Sequence, residues 1–147
     1  MNTIKIRLRK ADDFDAVVGI DERVLKVSRL EYYKMRFEQF VQSKDYVPTS
    51  LVAEEEGGTV VGFVMGEVFI GEYGLSDAAT LDTIGVDPAS RHKGIGRQLI
   101  NEFMDHLRTL GIKKVNTLVD KDDSKLMHFF EMNRFSPSRT VNLERNV

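Results

Sequence analysis

At 147 residues the chain is the length of one domain, long enough to bury a core without staples, and it is read as a single domain over 1–147. Its 41% apolar and 30% charged residues form an ordinary soluble mixture, and a net charge of −2 argues against a general nucleic-acid binder, which needs a basic face. The absence of cysteine excludes disulfides, thiolate catalysis and zinc–thiolate sites, and it is compatible with a reducing cytoplasm.

The first ten residues alternate charge with aliphatics and carry no apolar h-region, so no signal peptide is expected. No apolar run approaches the roughly 18 residues of a membrane span, so no membrane association is expected either. Ile4, Ile6 and Leu8 alternate with Lys5, Arg7 and Arg9, the period of a half-buried strand. Asp12 or Asp13 is expected to cap a helix through Phe14, Val17, Val18, Ile20 and Val24. Leu30, Tyr33, Phe37, Phe40 and Val41 mark a second helix, and Pro48 closes that region. Leu51–Glu54 and 60–70 read as strands joined by a hairpin at Glu56-Gly57-Gly58. Gly62 and Gly66 inside the longer strand point to close backbone approach.

A polar loop at 72–78 leads to a strand over 80–86, which stops at Asp87-Pro88. A helix from about Gly94 puts Ile95, Leu99, Phe103, Leu107 and Leu110 on one face, with Gly111 as its natural stop. Residues 115–119 form another apolar strand, Asp122 or Asp123 caps a short helix through Leu126, Phe129 and Phe130, and 140–143 suggests a last strand. The order β-α-α-β-β-β-α-β-α-β predicts a mixed α/β fold: antiparallel strands, then βαβ crossovers, with helices on both faces of a mixed sheet.

The most informative stretch runs from Val86 to Arg97. A strand ends, a turn follows, and a helix opens with Gly94 and Gly96 one residue apart. Free N–H groups and the helix dipole favour an anion there, and glycine lets the backbone approach it. Arg91, Lys93 and Arg97 add positive charge, so a phosphate or pyrophosphate is the natural ligand. No Gly-Lys-Ser/Thr follows and G-x-G-x-x-G is incomplete, which excludes a Walker A loop and a dinucleotide fingerprint. The three histidines, His92, His106 and His128, share no metal-ligand spacing, so no metal is expected.

Arg91-His92-Lys93-Gly94-Ile95-Gly96 resembles the R/Q-x-x-G-x-G/A signature of the GCN5-related N-acetyltransferase (GNAT) superfamily. Residues 81–88 look like that family's fourth strand and its exit, and 51–64 like its second and third strands. Phe129-Phe130-Glu131-Met132-Asn133-Arg134-Phe135 resembles its F-Y-E-K-x-G-F segment. The resemblance implies a mostly antiparallel central sheet whose fourth and fifth strands splay apart, with acyl-CoA wedged between them. It implies that backbone around Ile84, Gly85 and Val86 pairs with the pantetheine arm, and that His92, Lys93, Gly94, Ile95, Gly96 and Arg97 hold the pyrophosphate while Arg91 braces the loop. Phe129 and Phe130 belong to the same acyl-CoA-binding set. The family tyrosine that commonly protonates the departing thiolate is Phe130 here, and the family glycine is Arg134, beside an Asn133 that tolerates a left-handed helix end.

The implied reaction moves acetyl from acetyl-CoA to a primary amine, by direct attack in a ternary complex. A lysine-like ammonium, with pKa about 10.4, is neutral in only roughly one molecule in 2,500 at pH 7. A carboxylate base would therefore help. Asp82 lies two residues before Ile84, so strict alternation gives both side chains one facing, and in this family a base often sits at that end of the strand. Glu67 is a second candidate and Glu72 a third; the alternative for all three is a solvated surface charge. Tyr46 or Tyr73 could supply a proton from a loop. Small-molecule and protein or peptide amines both remain open as acceptors, a homodimer is compatible, and a non-catalytic acyl-CoA-binding module is the alternative function. A longer acyl group or a hydroxyl acceptor is not excluded. The acidic cluster favours a cationic acceptor, whereas an acidic one would want Arg23, Arg29 and Arg36.

Overall fold

The computed structural model describes residues 3–42, 48–69 and 78–147; Tyr46, Glu72, Tyr73 and most of the polar loop lie outside them. The chain divides into two compact units, Met1–Thr117 and Leu118–Val147. The first carries a sheet in the order β1 (Lys5–Leu8), β2 (Leu51–Glu54), β3 (Val60–Phe69), β4 (Ala78–Val86), β5 (Lys114–Asn116). The first four strands are antiparallel neighbours, and β5 runs parallel to β4. Helices α1 (Phe14–Leu25) and α2 (Leu30–Gln42) lie between β1 and β2, and α3 (Ile95–Thr109) links β4 to β5. The second unit holds α4 (Ser124–Met132) and an extended tail, so the strand expected over 140–143 does not form; Val141 and Leu143 are exposed.

Alternation along β3 builds the core on two faces. Phe63 and Met65 face α1 and α2, in a buried cluster with Val17, Ile20, Tyr33 and Phe37. Gly62 and Gly66 face α3: a Cβ on Gly62 would stand 3.1 Å from Leu99, and one on Gly66 only 2.5 Å from the Phe103 ring. The expected apolar face of α3 is buried at Ile95, Leu99, Phe103 and Leu107. Leu110 departs from it, 41% exposed, because it follows the last helical residue.

Local chemistry explains the boundaries. Gly57 and Gly58 both adopt positive φ, 95° and 92°, in a three-residue loop closed by the Gly58 N–H on the Glu55 carbonyl and the Glu55 N–H on the Thr59 carbonyl, each at 2.9 Å. Gly111 (φ 81°) ends α3, and the Ile112 N–H returns to the Leu107 carbonyl at 3.1 Å. Asp123 caps α4 by accepting from the Leu126 N–H. Asp13 does not cap α1 with its side chain: the carboxylate accepts from both Arg7 guanidinium nitrogens and from the Lys10 N–H.

Gly66→Ala should therefore destabilise the chain by about 1–3 kcal/mol, the usual range for overpacking a tight core. Urea denaturation measures it, and a midpoint unchanged from wild type would show that Phe103 yields freely.

Candidate functional site

Strand β4 has one fully used edge and one that is largely open. The parallel ladder with β5 joins only Ala78–Lys114, Ala79–Val115 and Thr80–Asn116, followed by the Thr117 hydroxyl on the Leu81 carbonyl at 2.9 Å. Towards β3, the Asp87 N–H donates to the Val61 carbonyl at 2.8 Å. Antiparallel strands alternate hydrogen-bonded and non-bonded pairs, so Gly85–Phe63 and Thr83–Met65 follow as bonded pairs. The N–H and C=O groups of Ile84 and Val86 then point away from β3, to the edge that β5 leaves uncovered within this unit. The splay expected of these two strands is the point at which the ladder stops.

The turn after β4 is tied down by Asp87, which accepts from the Ala89 N–H at 3.2 Å and from the Arg23 guanidinium at 2.8 Å. His92 (φ 65°) and Gly94 (φ 76°) take left-handed conformations, swinging the chain into α3. The first helical return is Gln98 N–H to the Gly94 carbonyl, so the N–H groups of Ile95, Gly96 and Arg97 precede any intrahelical partner. No side chain caps this end, and no acidic residue sits in the first turn. Arg91, His92, Lys93 and Arg97 are exposed around it. The Arg91 side chain makes no hydrogen bond or ion pair among the described residues; the interaction that secures the turn is Arg23–Asp87.

Asp82 and Glu67 converge, but not as strict alternation predicts. The pairing of β3 and β4 slips between Met65–Thr83 and Gly66–Leu81, which makes Asp82 an extra, bulged residue. Thr83 and Asp82 consequently both reach the α2 side, where Thr83 meets Arg29 and Asp82 meets Arg36, while Ile84, paired with Val64, faces α3. One guanidinium holds both carboxylates: Arg36 donates to Asp82 at 2.5 Å, to Glu67 at 3.1 Å and to the Gly66 carbonyl at 3.3 Å. The Arg36 side chain is 8% exposed, Asp82 22% and Glu67 42%. Burial pushes the Asp82 carboxyl above the ordinary aspartate range; Arg36 opposes the rise and the charge of Glu67 adds to it. The Tyr32 hydroxyl is likewise raised by burial, then by Asp82. Sequence reasoning placed Arg36 near the site without its partners; the bulge that joins them leaves no signal beyond the glycine at 66.

Arg29 pairs with Asp21 through two bonds, at 2.9 and 2.6 Å, and also reaches the Tyr33 hydroxyl. In the second unit Phe130 is buried, with ring centroids 5.4 Å from Phe129 and 5.0 Å from Phe135. The left-handed residue after α4 is Arg134 (φ 71°) rather than Asn133, whose side-chain amide instead donates to the Phe129 carbonyl at 2.8 Å. No group of side chains among the described residues could hold a metal ion. No helix among them is long and apolar enough to cross a membrane.

Comparison with known proteins gives a consistent picture. Residues 15–134 match the profile of the Acetyltransferase (GNAT) family. A mycothiol acetyltransferase of Propionibacterium freudenreichii subsp. shermanii is 35% identical over 86 residues, which cover 58% of this chain and only 27% of that protein. An acetyltransferase of Pectobacterium atrosepticum is 26% identical over 144 residues, 98% of this chain and 96% of its own. Among solved structures, the aminoglycoside N-acetyltransferase AAC(6')-Iy in complex with CoA superposes with a TM-score of 0.80 at 17% identity, covering 99% and 96% of the two chains. The ribosomal-protein-S18-alanine N-acetyltransferase of Escherichia coli gives 0.72 at 21% identity, over 88% and 76%.

Because the charge of Glu67 raises the Asp82 carboxyl, Glu67→Gln should lower its titration point towards the ordinary aspartate range. Carboxyl carbon NMR across a pH series reads this directly, and a titration of Asp82 that ignores the substitution would separate the two groups electrostatically.

Proposed function

The chain belongs to the acetyltransferase (GNAT) family of acyl-CoA-dependent N-acetyltransferases, and from that premise we propose that it moves acetyl from acetyl-CoA onto a primary amine by direct attack in a ternary complex. The observation that carries this reading is the uncapped start of α3 beside the open edge of β4. An anion fits free N–H groups that no side chain among the described residues caps, and an extended amide-bearing arm fits a strand edge left open within its unit. Backbone N–H groups over 92–97 hold the pyrophosphate, the peptide groups of Ile84 and Val86 receive the pantetheine arm around Gly85, and Arg91, Lys93 and Arg97 contribute charge. Phe129 and Phe130 of the second unit are candidates for acyl-CoA binding on the sequence resemblance. The family match spans both compact units, which supports treating the chain as one domain, and an acyl-CoA donor suits a cytoplasmic setting.

The donor supplies an activated thioester. Asp82 takes the proton of the incoming ammonium, so that the neutral nitrogen attacks the carbonyl carbon. A C–N bond replaces the C–S bond and the thiolate leaves with its electron pair. The acylated nitrogen sheds its second proton, which the thiolate takes up through solvent to give a neutral amide and free thiol, and the first proton passes from Asp82 to water. A thiol of pKa near 8.5 departs without a compulsory acid, so a phenylalanine at 130 does not bar turnover. Glu67, the more exposed carboxylate, faces the acceptor ammonium. A cationic acceptor is favoured over an acidic one, because the three arginines an acid would need are engaged: Arg23 by Asp87, Arg29 by Asp21, and Arg36 by Asp82 and Glu67. Amino acids, polyamines and peptide N-termini together make the panel that identifies the acceptor by thiol release.

Acetyl-CoA should raise the melting temperature by mass action, and Gly96→Val should remove most of that rise by filling the pyrophosphate's place. Absence of any shift at millimolar acetyl-CoA would defeat the reading at its root. Asp82→Asn should lower kcat by roughly 10²-fold or more while leaving the acetyl-CoA shift intact; a wild-type rate would move the base to Glu67.

A further inference from the structure

We propose that Arg36 of α2 is a positioning residue for the transfer reaction, holding the Asp82 carboxylate in place and in its ionised form. The proposal rests on the reading of Asp82 as the base. Its footing in the structure is the bulge. At that point the β3–β4 register slips, and the Gly66 carbonyl accepts from Arg36 at 3.3 Å and from the Thr49 hydroxyl at 2.7 Å. The guanidinium that satisfies this carbonyl also grips the residue the bulge turns outward, Asp82, at 2.5 Å. Side-chain direction at Asp82 is thus fixed by a cation anchored to the neighbouring strand, whose planar fork meets all three acceptors at once.

Charge completes the argument. Among the described residues the titratable and charged groups facing Asp82 are Arg36 and Tyr32 on α2 and Glu67 on β3. Arg36 is the one cation among them, and it stands against burial and a neighbouring carboxylate that both favour the protonated acid. A base protonated before the acceptor arrives takes no proton from it. Arg36 therefore acts on the reaction through Asp82, without contact with the reacting atoms.

The test compares wild type with Arg36→Lys, Arg36→Met and the double variant Arg36→Met/Glu67→Gln. The double variant removes one carboxylate along with the guanidinium, which guards against a chain that fails to fold around two uncompensated charges; the acetyl-CoA thermal shift reports folding in each. Arg36→Met is expected to lower kcat about 10²-fold, to leave the KM for acetyl-CoA unchanged and to move the acid limb of the pH–rate profile upward. Arg36→Lys should recover part of the rate, and the double variant should stay slow. A folded Arg36→Met with wild-type kcat overturns the proposal. So does a slow variant whose acid limb has not moved, since loss of packing alone lowers the rate without changing the titration. Should wild type release no thiol with any amine, it is the transferase reading that fails. The Asp82 titration by carboxyl NMR then still decides the role of Arg36: a rise in Arg36→Met sustains the hold on Asp82, and an unchanged titration overturns it.

Discussion

The ion pairs of the buried Arg36 guanidinium are the interaction on which the meeting of α2, β3 and β4 depends. A cation with 8% of its side chain exposed must be matched by charge and by hydrogen bonds, or its desolvation would cost several kcal/mol. Two carboxylates and a strand carbonyl meet that demand, and they come from different strands. Helix α2 is thereby tied to β3 and β4 by a polar contact, in addition to the packing of Tyr33 and Phe37 against Phe63 and Met65. Direction matters here more than strength. An apolar residue at 36 could fill the same volume, but nothing would then specify where Asp82 points or which protonation state it keeps.

At the end of β4 the opposite holds: among the described residues of this unit, peptide groups beyond the short β5 ladder and at the start of α3 have no strand or side-chain partner. A strand normally pairs both edges or is shielded. Here β4 pairs fully with β3, while β5 accompanies it for three residues only. The peptide groups beyond are arranged as a strand edge, and α3 begins a few residues later with an uncapped end. Both features cost stability in an empty protein, and under the proposed function a ligand that carries amides and phosphates in one chain offsets that cost. The left-handed His92, strained by of order 1–3 kcal/mol as a residue with a Cβ, belongs to the same arrangement.

What could be read from the sequence follows from how local each cause is. The hairpin at Gly57-Gly58, the stop at Gly111 and the cap at Asp123 need only a few adjacent residues, and they form as expected. The buried stripe of α3 is set by its own period, and it fails only at Leu110, beyond the helix end. Non-local causes were hidden. Asp13 looked like a cap because nothing at that position reveals Arg7, six residues earlier, as its partner. Asp82 and Ile84 looked like neighbours on one face because alternation presumes an unbroken register, and a bulge is a property of two strands. The strand expected over 140–143 had the right alternation but no partner. Of the candidate site, the glycine-bearing turn into α3 was legible as an uncapped helix start, and the Asp82–Arg36–Glu67 group was legible only as separate charges.

Gly66 connects the two sides of the site. Its missing side chain lets the Phe103 ring of α3 lie against the strand, and its carbonyl receives Arg36 of α2. Helix α3 also carries the uncapped start at its other end, and Gly62 admits Ile95 and Leu99 of that helix by the same means. The position of the turn into α3 is thus set by how closely α3 sits on β3, while the position of the Asp82 carboxylate is set by α2 across the same strand. Close-packed interiors transmit displacement because they have few voids to absorb it. A side chain added at 66 would push against Phe103 and the Thr80 carbonyl together, moving α3 on one face and β4 in the plane of the sheet. The residue with no side chain is the one at which the α3 contact on one face and the Arg36 contact on the other meet.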